Sequence, residues 1–508
     1  MSAVLTPALE VVDSLSLLAL KIAPNVFDVS SGQHHVSIRD QIVRSQFLIR
    51  DLCRAGGSFD RILVVGAGIA GVAAAMAACH AGKKVMVVDT AGAPFSLQAA
   101  VHKRYVGPFM YEWPSVASDD QSYPPVHQHL WGAARVGTPA WTAAKPIPAS
   151  ALAEELRTWL AADIASIAAC TTSGKTAPRF VHGVIAERVK CYVQCFAAAA
   201  ATNLERRLMY RSEKPMPTFA LHASGFKERD ETLALPPPFV PDYVILAAGM
   251  GQESVALPHP RDSKWPASGP VFWQDDALDE PAAANARIGI FGGGDGALQD
   301  VLRTLTPFRH PTEMLDFLNR DADVKYAIDR EMATLSAIEA QSRLANTWTM
   351  DSSTFADVDR LCAKVAARLA MRSRVRRRMA RCIRAGSGGV EHFVKESHFT
   401  KTYLLNRFLV HLLHQCQPRT PLPGRMRYKL FFSAEVAQSG GPRPPLVGYE
   451  ASIAINGATK NYLFDDIAVR FGIEHGSVPG MQMIKLSYHD NGQRSSLTHV
   501  PMAFLASA

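Results

Sequence analysis

The chain has 508 residues, 48% of them hydrophobic and 20% charged, with a formal net charge of +8 at neutral pH. That length allows two to four domains of about 100–200 residues each, and the composition is that of a globular protein with a large core. No run of about 20 uncharged apolar residues exists, which excludes a membrane-spanning helix, and the modest cationic excess suits an anionic cofactor or substrate without implying nucleic acid.

Residues 1–60 read as a leading helical segment that packs on the next domain and has no chemistry of its own. Ile42, Val43, Phe47, Leu48 and Leu52 form its apolar stripe. Leu15 to Leu20 are apolar, but Glu10 and Asp13 precede them where a secretory signal would carry basic residues. Eight cysteines are scattered along the chain, and none forms C-x-x-C or has zinc-finger spacing. A cytoplasmic protein with reduced thiols is the expectation.

The most informative stretch is Arg61 to Asp89, RILVVGAGIAGVAAAMAACHAGKKVMVVD. Ile62 to Val65 predict a buried strand. Gly66, Gly68 and Gly71 give the G-x-G-x-x-G spacing: a tight turn, room for a pyrophosphate, and close packing of helix on sheet. Ile69 and Ala70 open a small-residue helix whose N–H groups would face phosphates. Val85 to Val88 predict the second strand. Asp89 ends it, 23 residues after Gly66, where a carboxylate can bond ribose hydroxyls.

Residues 90–145 are irregular and rich in proline and aromatics, a pattern that predicts a site wall. Gln98, His102, Arg104, Tyr111 and Trp113 are its candidates for contact with a cofactor ring or substrate. The bland alternative makes Tyr111 and Trp113 core residues and pairs Arg104 with Glu112 or Asp119. An amphipathic helix is expected over 149–169. Strands are expected over 187–196, 217–223 and 231–235, forming a β-meander that includes Cys191 and Cys195. In Asp242 to Gly251 a buried strand ends in Ala247, Ala248 and Gly249, small enough to pass close to a cofactor.

A second glycine turn follows in RIGIFGGGDGALQDVLRTL, residues 287–305. Gly292, Gly294 and Ala297 repeat the fingerprint, with Asp295 in the turn. Two such turns suggest two nucleotide folds, but the strand due about 20 residues later is replaced by a helical pattern. Residues 312–416 read almost wholly as helix. Arg368 to Arg384 carry eight arginines, either a solvated helix face or a docking face for an anionic partner. The run lacks the interleaved aromatics that nucleic acid requires. His411 and His414 have no matching ligand pair, so no metal site is expected. Strands resume over 428–436, 446–455 and 466–471.

These motifs, GAGIAG at 66–71, Asp89, ILAAGMG at 245–251 and GGGDGAL at 292–298, resemble in their order those of the two-dinucleotide-binding-domain flavoproteins, which include thioredoxin reductase-like enzymes and flavin monooxygenases. The N-terminal half is also similar to bacterial flavoproteins with an R-aromatic-V and Y-x-W-P loop, a likeness that names no substrate. The resemblance implies an α/β architecture. Residues 61–286 would be a Rossmann-like FAD domain with a β-meander. Residues 287–311 and 419–475 would form a second NAD(P)-binding-like domain, interrupted by a helical insertion at 312–418 and followed by a return segment at 476–508. FAD would lie on Gly66, Gly68, Ile69, Ala70, Gly71 and Asp89, flanked by Gln98, Ala248 and Gly249. NAD(P)H would lie on Gly292, Gly294, Asp295 and Ala297. The late glycine expected beside the flavin is either Gly472 or Gly480. Without C-x-x-C, disulfide reduction is effectively excluded.

The expected activity is an FAD-dependent, NAD(P)H-linked oxidoreductase acting on a small molecule, including the monooxygenase class. An FAD-dependent amine or amino-acid oxidase is the alternative. A non-catalytic nucleotide-binding scaffold is the second alternative, with the helical insertion meeting a protein partner or a second copy.

Overall fold

The computed structural model describes residues 17, 20–29, 38–55, 58–107, 113–114, 145–170, 174–219, 238–260, 264–348, 352–417, 423–442 and 448–474. Its architecture is built on two mainly parallel sheets, each flanked by helices, as the α/β expectation requires; the first has one antiparallel edge pair, Lys21–Ala23 with Val26–Asp28.

The first sheet contains β1 (Lys21–Ala23), β2 (Val26–Asp28), β3 (Arg61–Val65), β4 (Lys84–Asp89), β7 (Arg179–His182) and β8 (Tyr243–Leu246), in the spatial order β1-β2-β8-β3-β4-β7. β3 pairs in parallel with β4 on one side and β8 on the other. A small separate hairpin joins β5 (Tyr105–Val106) to β6 (Ile147–Pro148). The helices of this fold are α1 (Ile38–Arg54), α2 (Ile69–His80), α3 (Ser96–Ala99), α4 (Ala149–Ala169) and α5 (Ala186–Tyr210). α2 is made of small residues and is buried almost throughout, which lets α1 pack closely against it.

The second sheet has the order β11-β10-β9-β15, from β9 (Arg287–Phe291), β10 (Gly389–Phe393), β11 (Arg427–Phe431) and β15 (Asp466–Val469). All its pairings are parallel. Number the strands of each fold from its glycine turn and the two orders coincide: the fourth strand lies beside the first, then the second and third. Ligands bind such sheets outside the carboxyl ends of the strands, where the order reverses. Here those points are β3/β8 and β9/β15.

Between β9 and β10 lie α6 (Asp295–Leu305), α7 (Pro311–Asn319), α8 (Ala322–Asp329), α9 (Met332–Trp348), α10 (Ser352–Ala370) and α11 (Ser373–Cys382); α12 (Leu404–Cys416) links β10 to β11. The missing second strand is therefore β10, displaced by a block of helices. β10 and α12 belong to the second fold, so the sequence-based helical block at 312–418 extends too far.

Three other expectations change. Residues 187–196 are helical, inside α5, and Cys191 and Cys195 sit on that helix. The buried residues Val189, Val193, Phe196, Ala197 and Ala200 follow helical spacing, and this core contact outweighs the alternation that suggested a strand. Of the expected meander, Phe219 makes an isolated bridge with Phe239, and residues 220–237 lie outside the described residues. A meander does exist, in the second fold: β12 (Ala434–Gly440), β13 (Tyr449–Ile455) and β14 (Ala458–Phe464) pair antiparallel in sequence. The leading segment is not all helix either, since β1 and β2 extend the first sheet beside β8.

Candidate functional site: one cleft with two glycine turns

Both turns are built the same way. Gly66 follows β3 with φ +109°, and Gly292 follows β9 with φ +131°. Each is in a region that side chains rarely adopt. The Gly66 N–H donates to the Val88 carbonyl at 2.7 Å, and the Gly292 N–H donates to the Phe393 carbonyl at 2.9 Å. A Cβ on Gly66 would lie 2.2 Å from the Ala247 oxygen, and one on Gly292 would lie 2.2 Å from the Arg470 oxygen. So the chain leaving β8 crosses the first turn as the chain leaving β15 crosses the second. At Gly68 and Gly294 a Cβ would meet nothing within 4 Å. These are the places where a pyrophosphate needs open backbone.

The two turns open into one cleft of about 1500 Å3. Gly66, Gly68, Ile69, Ala70, Asp89 and Gln98 line it on the first side, with Ala248 and Gly249 beyond. Gly292, Gly294 and Asp295 line it on the second. Gly71 and Ala297 do not reach it. Gly71 lets α2 touch the Gly66 carbonyl, where a Cβ would sit at 1.9 Å, and Ala297 is fully buried in the second core.

Asp89 holds the first turn together. Its Oδ1 accepts from the Ala91 N–H at 2.6 Å, and its Oδ2 accepts from the Ala67 N–H. The carboxylate is half-buried at the cleft wall. In the second fold, the pairing of Gly292 with Phe393 makes Val394 the counterpart of Asp89. Val394 is apolar and fully buried. Lys395 follows it and lines the cleft.

The second turn is anchored from below and from the side. His392, buried on β10, bonds the Gly292 carbonyl through Nε2 at 2.7 Å and the Tyr428 hydroxyl through Nδ1 at 3.0 Å. Burial pushes its pKa down to about 4, against the bond to Gly292. The neutral ring therefore donates to Gly292 and accepts from Tyr428. Asp295 borders the cleft, but its Oδ1 accepts from the Tyr403 N–H at 2.8 Å and Asn406 Nδ2 at 2.9 Å, at the start of α12. Burial raises it to about 7 despite those bonds. Lys401, also on the cleft wall, is lowered to about 8 by burial.

Of the proline-rich loop's candidates, Gln98 and Arg104 line the cleft as expected, and Arg104 has a further role. Arg104 is 4% exposed and belongs to an ionic cluster. Its Nη1 donates to Asp300 and its Nη2 to Asp276 at 3.0 Å. Arg303 Nε and Arg470 Nε also donate to Asp300, at 2.8 and 2.9 Å. The Arg104 guanidinium lies 4.4 Å over the Phe272 ring. Arg104 thus ties the first fold to α6 of the second; Glu112 and Asp119 lie outside the described residues. Trp113 is buried and stacks on Phe408 at 5.3 Å, so it is core. His102 does not line the cleft; its backbone N–H donates to Asp275 at 2.9 Å. Tyr111 lies outside the described residues.

The cleft also holds residues the sequence did not single out: Phe272, Trp273, Lys190, Lys395, Lys401 and Arg470. Gly472 lines it with φ +87°, and its carbonyl accepts from the Ser254 N–H at 2.8 Å, where the chain leaving β15 runs beside the chain leaving β8. Gly480 lies outside the described residues. Among the described residues, no cysteine lines the cleft, no group of three metal-ligating side chains exists, and no helix is long and apolar enough to cross a membrane.

No family model matches the chain, and no curated protein does. Solved structures do resemble it in fold. One is the bacillithiol disulfide reductase Bdr (YpdA) from Staphylococcus aureus, 11% identical over 81% of this chain and 76% of that one, with TM-score 0.37. The Bacillus cereus protein of the same name is 10% identical over 85% and 83%, with TM-score 0.40. Lactococcus lactis thioredoxin reductase is 11% identical over 82% and 78%, with TM-score 0.31.

Proposed function

We propose that the chain is an FAD-dependent oxidoreductase reduced by NADPH. The observation that carries this reading is the pair of identically constructed glycine turns facing one cleft. At about 1500 Å3 the cleft exceeds the roughly 300–1,000 Å3 of a site for one small ligand, so it has room for two dinucleotides. The residues fit the groups. The first turn offers open backbone at Gly68, the N-terminus of α2, and the Asp89 carboxylate for ribose hydroxyls. The second offers open backbone at Gly294 and the N-terminus of α6. When bound, the flavin would carry electrons from the nicotinamide to a second substrate.

The preference for NADPH rests on the end of β10. A carboxylate there would bond the ribose 2′-hydroxyl of NADH and repel a 2′-phosphate. Val394 stands in that place, and Lys395 beside it supplies a cation, 3.9 Å from the Glu435 carboxylate on the same wall. With no cysteine lining the described cleft and no C-x-x-C in the sequence, the second substrate is a small molecule other than one exchanged through a dithiol. The Gly292 turn is intact and anchored by His392, which favours this reading over an oxidase without nicotinamide.

Anaerobic titration of the flavin-loaded protein tests it. Addition of NADPH should bleach the visible flavin band, and NADH should do so less well. The Lys395→Glu variant should weaken the response to NADPH about ten-fold, comparable to the loss of one charge-assisted contact, and leave NADH little changed. A protein that cannot be loaded with FAD refutes the proposal. A loaded protein that neither nicotinamide reduces refutes its NADPH half.

A further inference from the structure

The leading helix α1 carries several polar groups into the interior. Gln41 is 8% exposed, Arg44 4%, Ser45 0%, Gln46 1% and Asp51 2%. Arg44, Gln46 and Asp51 each engage a partner. Gln41 Oε1 and Ser45 Oγ are buried without one. Of these two residues, only Gln41 borders the cleft. Buried polar atoms in native proteins are nearly always satisfied, so an orphan at a ligand site points to the ligand.

Gln41 shares the cleft wall with Ile38 of the same helix and with Ile69 and Ala70, which begin α2. That end of α2 is where the pyrophosphate of a dinucleotide on the first turn would lie. The adenosine ribose on one side of the pyrophosphate belongs to Asp89. On the other side is the polyhydroxy chain of a flavin nucleotide, whose hydroxyls are donors. The last torsion of a glutamine side chain is soft and broad, so a turn about it can bring Oε1 to such a hydroxyl.

We propose that α1 is part of the cofactor site and that Gln41 accepts a hydrogen bond from the ribityl half of bound FAD. This rests on the reading of the first turn as an FAD site. The leading segment then has a binding role as well as a packing one.

The Gln41→Leu variant tests it, with FAD and ADP affinities measured on the full-length apoprotein, ADP by its competition with FAD. Leucine removes the amide and keeps similar bulk. Loss of one neutral hydrogen bond should weaken FAD about five- to ten-fold and leave ADP unchanged. The thermal midpoint of the apoprotein should hold or rise, because an unsatisfied buried amide has been replaced by an apolar group. This combination, weaker FAD on an apoprotein no less stable, is not produced by a purely structural role. Unchanged FAD affinity overturns the inference, and so does an equal loss for FAD and ADP. Should the leucine variant fail to fold, Gln41→Met, which is unbranched and as long, takes its place with the same expected outcomes. Failure of the wild-type chain to bind FAD sinks the functional reading itself, whereas wild-type binding with an unaffected variant sinks only the role of Gln41.

Discussion

Asp300 is the group whose loss should be felt most. It is fully buried on α6 and accepts from three guanidinium groups, those of Arg104, Arg303 and Arg470. Burial alone would raise its pKa, but the three cations overcome this and hold it below the ordinary carboxylate range. The Asp300→Asn substitution keeps the shape and removes the charge. Asp276 then remains with two of those cations, Arg104 and Arg303, and Arg470 loses its carboxylate. Breaking a buried ion pair by removing one partner costs about 3–5 kcal/mol. For a fold of 150–250 residues each kcal/mol moves the midpoint by about 2–4 °C, so the expected drop is roughly 6–20 °C. Thermal unfolding followed by circular dichroism measures it. The pH dependence follows from the depressed folded-state pKa. The contribution is complete above about pH 4, the unfolded value, and is lost as the pH falls toward the lower folded value. Wild type should therefore lose stability in that acid range, and the variant should lose less. Adding Arg104→Met removes one stranded cation and should recover part of the loss. A change below about 0.5 kcal/mol for Asp300→Asn, the level of an ordinary surface substitution, would refute the claim that this cluster joins the folds.

Two further outcomes are expected. Gly66→Ala and Gly292→Ala each place a Cβ 2.2 Å from a crossing carbonyl at positive φ. The first should abolish flavin retention. The second should retain flavin but lose reduction by NADPH, as read from the flavin-to-protein ratio and anaerobic bleaching; equal flavin loss in both would contradict separate roles. Asp295 has a pKa raised to about 7 by burial, so its ionisation weakens the fold increasingly as pH rises from about 4 to 7. Asp295→Asn should match wild type near pH 4 and exceed it by up to about 4 kcal/mol at pH 8; parallel stability curves would rule this out.

The first nucleotide turn was legible because strand, glycines, helix, strand and acid all fall within Arg61 to Asp89. Every contact that defines it is local, apart from the crossing at Ala247. The second turn was legible only as far as α6. Its partner strand β10 is about a hundred residues on, and no sequence window of ordinary length joins Gly292 to Phe393. Over α5 the sequence is ambiguous: Val189, Cys191, Val193 and Cys195 alternate as a strand would, while the buried set selects the helical period. Arg104 was noticed for its charge among aromatics, but its partner Asp300 is 196 positions away, and only the packing of the two folds brings them together. Gln41 gave no signal at all: a polar residue near the start of an amphipathic helix reads as solvated until the cleft beside it is seen.

The helices between β9 and β10 set an order of assembly. All six described strands of the first sheet lie within residues 21–246, so they are present in the emerging polypeptide while most of the second sheet is still unmade. β9 must wait for both flanking strands, and the later of them, β15, arrives near residue 466. Closing a loop of this length costs little more than closing a short one, yet it is slow, and N-terminal units fold first during synthesis. A nascent chain thus presents its first glycine turn long before its second, and Arg104 holds a charge that finds Asp300 only when the later half arrives.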